Sequence, residues 1–168
     1  PEVPFVVQLQ GHLALRQGRL PSALLFSGPE GVGKRRLALE VGRTLVCPEA
    51  RSEACGACPV CARVAHGLES LPAWREQALA TEEPLAFNLR PHPDLLVVEP
   101  SPEEIRVEQV RAVVEEVAER SFEGGGRAIV LDDAHRLTVQ AANALLKSLE
   151  EPPPGTHFLL VTASPEAL

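Results

Sequence analysis

The stretch ALLFSGPEGVGK, residues 23–34, joins a short apolar run to a glycine-rich turn. The run at 23–26 is apolar throughout, which is typical of a buried parallel strand. Residues 28–34 match the pattern G-x-x-x-x-G-K, and Leu37, Val41 and Leu45 then recur at a spacing of four, as on one face of a helix. A strand, this motif and a helix in succession predict a P-loop, whose glycine backbone wraps a phosphate.

The P-loop predicts a nucleotide site, for ATP or ADP, in which the Lys34 ammonium supplies a point charge. Arg35 follows, where a Ser or Thr hydroxyl ordinarily holds Mg²⁺. Arg35 either contacts a phosphate as a cation or is a solvated residue on a loop that no longer binds nucleotide. The alternative is that these residues form only a glycine-rich turn before a helix and bind no nucleotide. The candidate binding residues are Gly28, Gly31, Val32, Gly33, Lys34 and Arg35.

A second apolar run, AIVLDD at 128–133, ends in paired acids, as the Walker B strand of ATPases does. Asp132 suits the role of supporting Mg²⁺. Asp133 stands where a Glu usually polarises the attacking water, and it is one methylene shorter. A positioning error of about 1 Å can cost about a hundredfold in rate. A strand followed by an acidic turn is the alternative without chemistry.

All four cysteines lie between residues 47 and 61. Two overlapping C-x-x-C steps and a nearby fourth thiol suit a tetrahedral zinc ion. An iron–sulfur cluster is the alternative, and a reducing cytosol argues against disulfides. Because four thiolates close the coordination sphere, a structural zinc site is predicted on Cys47, Cys55, Cys58 and Cys61.

The rest of the chain alternates strand and helix patterns, which predicts an α/β fold with a mostly parallel sheet and helices on both faces. The strand near 23–28 is expected to be central. Residues 62–93 are harder to interpret, with one helix expected at 71–80 and loop elsewhere. The remaining predicted strands are 94–99, 127–132 and 157–162, and the remaining helices are 1–20, 107–120 and 138–150, the last capped by Thr138.

Composition sets limits on function. The formal net charge is −7 over 168 residues, whereas a domain that grips DNA mainly through its own surface should be basic. Protein partners are therefore expected. No apolar run approaches the roughly 20 residues that span a bilayer, and no signal peptide opens the chain, so a cytoplasmic protein without membrane contact is expected.

Several strings together resemble the AAA+ core of bacterial DNA polymerase III clamp-loader subunits. They are NALLKSLEEPP (143–153), HPDLLVVEP (92–100), IRVEQVRAVVEEV (105–117) and the cysteine cluster directly after the P-loop helix. The resemblance covers about 22–61 and 92–168, and 67–91 is expected to be an insertion. Residues 1–168 are then expected to be a RecA-like AAA+ core, with a zinc module at 47–61, that lacks the C-terminal part of the subunit.

Within that family, Arg35, Asp133 and FEGGGR (122–127) resemble the delta-prime type, and the gamma/tau motor ATPase is the alternative. The resemblance implies a stator-like subunit with little or no ATP hydrolysis of its own. It implies a hetero-pentameric ring with delta and gamma/tau that loads the sliding clamp onto primed DNA. It also implies a polar sensor at Thr162, or one place later at Ala163, and an arginine-finger motif beyond residue 168. An unrelated zinc-bearing P-loop NTPase is a further alternative.

Overall fold

The computed structural model describes residues 20–118 and 125–165, which form a five-stranded sheet between two layers of helices. All but the last residue of the predicted helix at 1–20, and residues 122–124 of the FEGGGR stretch, lie outside the described residues. The strands are β1 (Ala23–Ser27), β2 (Asn88–His92), β3 (Leu95–Val98), β4 (Arg127–Leu131) and β5 (Thr156–Thr162). The helices are α1 (Lys34–Val46), α2 (Pro59–Thr81), α3 (Val107–Val117) and α4 (Val139–Glu150), with short 3-10 turns at Pro84–Phe87 and Ala134–Arg136.

The sheet has the strand order β1-β5-β4-β3-β2. The pairs β1–β5, β5–β4 and β4–β3 are parallel, which confirms the four predicted parallel strands. The prediction that the strand near 23–28 is central is wrong, because within the described residues β1 pairs with β5 alone. Ala23 and Leu25 are exposed, since the second helix layer packs on β3, β4 and β5 but not on β1. A short apolar run cannot distinguish one covered face from two.

Two apolar cores fill the space on the two faces of the sheet. Helices α1 and α2 pack over one face, and α3 and α4 pack over the other. Every residue of β3 and of β4 is buried, which explains why these strands, apart from Arg127, are apolar without alternation. Each such aliphatic side chain stabilises the fold by about 1.5–3 kcal/mol relative to an exposed one. The predicted helices on both faces are thereby confirmed.

The segment at 62–93 is more regular than its sequence suggests. Helix α2 begins at Pro59 and continues through Pro72 to Thr81, whereas only 71–80 was expected to be helical. The expected loop also contains β2, which pairs antiparallel with β3 at the edge of the sheet. Pro91 obscured β2, because proline is confined to edge strands and bulges and argues against a strand in a sequence pattern. That 67–91 is an insertion in the family stays a prediction.

The other elements agree with their predicted positions. Thr138 caps α4 as expected, since its hydroxyl accepts a hydrogen bond from the Ala141 N–H at 3.2 Å. Helix α3 begins at Val107 and ends at Val117, a little before the predicted end near 120. In the described part of the chain, no helix has the length and apolar character needed to cross a bilayer.

Candidate nucleotide and metal sites

The P-loop lies between β1 and α1 and has the backbone shape that its glycines predict. Gly31 and Gly33 have φ of 77° and 90°, a backbone conformation that residues other than glycine rarely adopt. Gly33 is the N-cap of α1, and no side chain caps the helix there. The Lys34 ammonium donates a hydrogen bond to the Pro29 carbonyl at 2.6 Å, so it lies over the loop that it is expected to serve.

Arg35 does not point into solvent but links the ends of two strands. Its Nη1 lies 3.1 Å from Asp132 Oδ2, directly after β4. Its Nη2 lies 2.5 Å from Glu99 Oε1, directly after β3. The carboxyl ends of parallel strands are where such sheets bind ligands. Arg35 is therefore held by two carboxylates where a P-loop protein with Ser or Thr at this position would hold its metal.

Glu99 is the site residue that the sequence analysis missed. Its side chain is 1% exposed, and its second oxygen, Oε2, lies 3.2 Å from Nη1 of Arg75 on α2. Its backbone carbonyl accepts a hydrogen bond from Gln109 Nε2 at 2.8 Å. The available signal was the one used for Asp132, an acid directly after an apolar strand. Arg75 gave no signal of its own, although it lies within the helix predicted at 71–80.

The pKa of the Asp132 carboxyl is set by its burial and by the charged side chains around it. Burial raises the pKa of its carboxyl, the Arg35 guanidinium lowers it, and the nearby Asp133 and Glu99 carboxylates raise it again. The net pKa lies above the usual Asp value. A buried carboxylate is costly to ionise without a cation beside it, so Arg35 supplies a counter-charge that a metal would otherwise supply.

Asp133 and Thr162 lie at the same end of the sheet but have other partners. Asp133 has a left-handed backbone (φ 51°), and its Oδ2 lies 3.7 Å from Nε of Arg136. Thr162 ends β5 and is fully buried. Its hydroxyl is 3.2 Å from Nδ1 of His135 and accepts a hydrogen bond from the Ser164 N–H at 3.0 Å. The predicted sensor hydroxyl is thus occupied by protein groups.

The four cysteines converge at the junction of α1 and α2. Cys47 follows the end of α1, and Cys58 caps the start of α2. All four Sγ atoms lie within 4.8 Å of one another, and the Cys47–Cys58 and Cys55–Cys61 sulfurs are 3.9 Å apart. A tetrahedral ion with metal–sulfur bonds of about 2.3 Å requires sulfurs about 3.8 Å apart. The cluster therefore has the geometry to hold a metal.

Without a bound ion, the thiols of the cluster differ in pKa. Hydrogen bonds from the backbone N–H groups of Ala57 and Cys58 lower the pKa of Cys55 to about 6. Burial raises the pKa of Cys61 to about 12. Backbone amides also donate to sulfur at Cys58 and Cys47, at 3.4 and 3.5 Å. Amide donors stabilise thiolates, which are the form of cysteine that binds metal.

Comparison with known proteins shows the family to which this chain belongs. A family model described as DNA polymerase III, delta subunit, matches residues 6–72 and 75–168. The chain belongs to this family. It is similar to the DNA polymerase III subunit delta' of Pseudomonas aeruginosa, with 38% identity over 87% of this chain and 38% of that protein. It is also similar to the DNA polymerase III subunit tau of Escherichia coli, with 30% identity over 92% of this chain and 20% of that protein.

The resemblance to DNA polymerase III subunits seen in the sequence is thereby confirmed, with delta' among the more similar relatives and tau also matching. A crystal structure of a DNA polymerase III gamma subunit-related protein from Thermotoga maritima matches 58% of this chain and 33% of that chain. The match has 31% identity and a TM-score of 0.43. The chain spans less than half the length of these relatives, so the activity and partners of a whole subunit are matters for proposal.

Proposed function

We propose that this chain is the P-loop domain of a delta-prime-type clamp-loader subunit that does not hydrolyse ATP. The observation that carries the proposal is the double ion pair of Arg35 with Asp132 and Glu99. Phosphoryl transfer in P-loop proteins relies on a metal held by a hydroxyl and a Walker B acid. Here the hydroxyl is replaced by an arginine, and that arginine pairs with the acid.

The second acid supports the same conclusion. A water-positioning carboxylate must reach the attacking water to within a fraction of an ångström. Asp133 is shorter than the usual Glu, and its nearest charged partner is Arg136, in the same turn. Thr162 is likewise turned to His135. These side chains can hold the end of the sheet together, which suits a stator better than a motor.

As a subunit of this type, the protein would assemble with delta and gamma/tau in a hetero-pentameric ring in the cytoplasm. That ring would load the sliding clamp onto primed DNA. Family membership and the net charge of −7 support contact with DNA through the assembly rather than through this domain alone.

Reconstitution tests this assignment. The full-length protein is combined with purified delta and gamma/tau from the same source, and complexes are resolved by size-exclusion chromatography. We expect one complex that contains all three proteins and that loads a labelled clamp onto primed DNA. Omitting this protein is the matched control and should abolish loading. A protein that joins no complex, or whose omission leaves loading intact, contradicts the assignment.

The cysteine cluster is proposed to hold a structural zinc ion. The sulfur separations of 3.9 Å match the roughly 3.8 Å of a zinc tetrathiolate, and four protein ligands leave no open position for catalysis. Metal analysis of protein purified without chelator should find about one zinc per chain. The variant Cys58→Ser should lose it, whereas Ser52→Ala in the same loop should keep it. Iron in place of zinc would favour the iron–sulfur alternative.

A motor subunit of the gamma/tau type is the second candidate. The similarity to tau and the intact glycines and lysine of the P-loop favour it. It requires magnesium-dependent ATP turnover by this chain, for which Arg35 would have to leave both of its carboxylate partners. The two candidates therefore differ in one measurable property, the rate of ATP hydrolysis.

A further inference from the structure

The start of α1 is built to receive an anion. The first backbone N–H groups of a helix have no acceptor within the helix, and no side chain caps α1 at Gly33. The first turn holds no acidic residue but holds Lys34, Arg35 and Arg36. A Cβ built on Gly31 or on Gly33 would meet no atom within 4 Å, so the loop has open space beside both glycines.

The place beside this loop that a divalent metal would need is already filled. Asp132 and Glu99 are the carboxylates that could bind Mg²⁺ or its waters, and the Arg35 guanidinium bridges them. Arg75 neutralises the other oxygen of Glu99. The two arginines balance the charges of Glu99 and Asp132, and the nearby Asp133 is paired with Arg136. A guanidinium cannot release its proton in a protein, so it remains a positive charge.

We propose that this P-loop binds the free diphosphate or triphosphate group of a nucleotide, and that Mg²⁺ weakens the binding. The inference rests on the proposed function only in taking the loop as non-hydrolysing. A metal-free polyphosphate carries its full negative charge to Lys34 and to the helix N-terminus. A magnesium complex carries two fewer negative charges, and its metal must approach Arg35, which already pairs with both Asp132 and Glu99.

Calorimetry on the full-length protein tests the sign of the metal effect. The probes are ADP and inorganic pyrophosphate, each titrated at constant ionic strength in EDTA and in excess Mg²⁺. Losing one or two partly exposed charge contacts should weaken binding about three- to fivefold in Mg²⁺. Binding that is absent in EDTA, or that Mg²⁺ strengthens, overturns the proposal. Either failure leaves assembly with delta and gamma/tau unaffected, so it is distinct from failure of the proposed function.

Variants locate the effect. Arg35→Thr restores the hydroxyl and frees Asp132 and one oxygen of Glu99, so Mg²⁺ should now strengthen the binding of ADP. Arg36→Thr, the matched control on the exposed side of the same turn, should keep the sign of the parent. Lys34→Ala should lose binding in EDTA, and unchanged affinity there would show that the P-loop is not the site and overturn the proposal. Should Arg35→Thr fail to fold, the comparison of the parent with and without Mg²⁺ decides alone.

Discussion

At the scale of single residues, one arginine connects the sequence to the chemistry. Arg35 could be recognised in the sequence as the replacement for a metal-binding hydroxyl. The position of its guanidinium could not be predicted from the sequence, because its partner Glu99 lies 64 residues further along the chain. Only the parallel sheet, which brings the ends of β3 and β4 together, makes the two carboxylates neighbours.

A double-mutant cycle measures this coupling. Removing Arg35 leaves Glu99 buried with Arg75 alone, and removing one partner of a buried ion pair is costly. We expect Arg35→Ala and Glu99→Ala, each alone and combined, to give a coupling free energy of about 1–3 kcal/mol in chemical denaturation of the full-length protein. Arg36→Ala, the exposed control, should change the free energy of unfolding by about 0.5 kcal/mol or less. Additive effects of Arg35→Ala and Glu99→Ala would contradict the pairing.

The pH dependence of stability tests the environment of Asp132. Because burial raises its folded-state pKa above the ordinary value of 3.8, the folded protein binds a proton more tightly than the unfolded chain there. Stability from this group is present at low pH and is lost as pH rises above that ordinary value. The variant Asp132→Asn does not titrate at this position. Its free energy of unfolding minus that of the parent should therefore increase from about pH 4 to about pH 7.

Denaturant unfolding at the two pH values checks this sign, and Asp133→Asn, in the same turn, is the matched control for removing one carboxylate. A difference between Asp132→Asn and the parent that falls with rising pH would show that the Arg35 contact outweighs burial. That result would require a stronger ion pair than the geometry indicates.

At the scale of elements, local patterns predicted some parts of the fold and missed others for a physical reason. The strands β3 and β4 and the capped helix α4 carry their own signals, which are a continuous apolar run and a Thr at the N-cap. The edge strand β2 contains Pro91, and α2 contains Pro72. The two elements pack against each other, and tertiary packing of this kind cannot be seen in one segment alone.

The contact of α2 with β2 gives a sharp test. A methyl group on Gly67 would lie 2.1 Å from the Pro91 carbonyl oxygen, so backbone must move. We expect Gly67→Ala to lower the free energy of unfolding by about 1–3 kcal/mol. Gly42→Ala in α1 is the matched control, because there the nearest atom is the tip of the Leu95 side chain at 2.8 Å rather than backbone. Equal effects of the two substitutions would contradict the close packing of α2 on β2.

At the scale of the whole molecule, the sheet gathers the ends of β3, β4 and β5 beside the start of α1. At this edge Glu99, Asp132 and Thr162 all have protein partners, and Arg35 replaces the hydroxyl that would hold a metal. The sequence pointed to Lys34, Arg35 and Asp132 at this edge, and that they form a nucleotide site stays a prediction. It could not predict that the site is closed by ion pairs, because that depends on three segments distant in the chain.

Steady-state ATP hydrolysis by the full-length protein in Mg²⁺ is the most direct test of this account. The parent is assayed beside a variant carrying Arg35→Thr and Asp133→Glu, which restores the usual hydroxyl and the longer acid. The account predicts no turnover by the parent near the usual enzyme range, which begins at about one per second, and any gain should appear only in the variant. Turnover by the parent at about one per second or faster would contradict the account and support a motor.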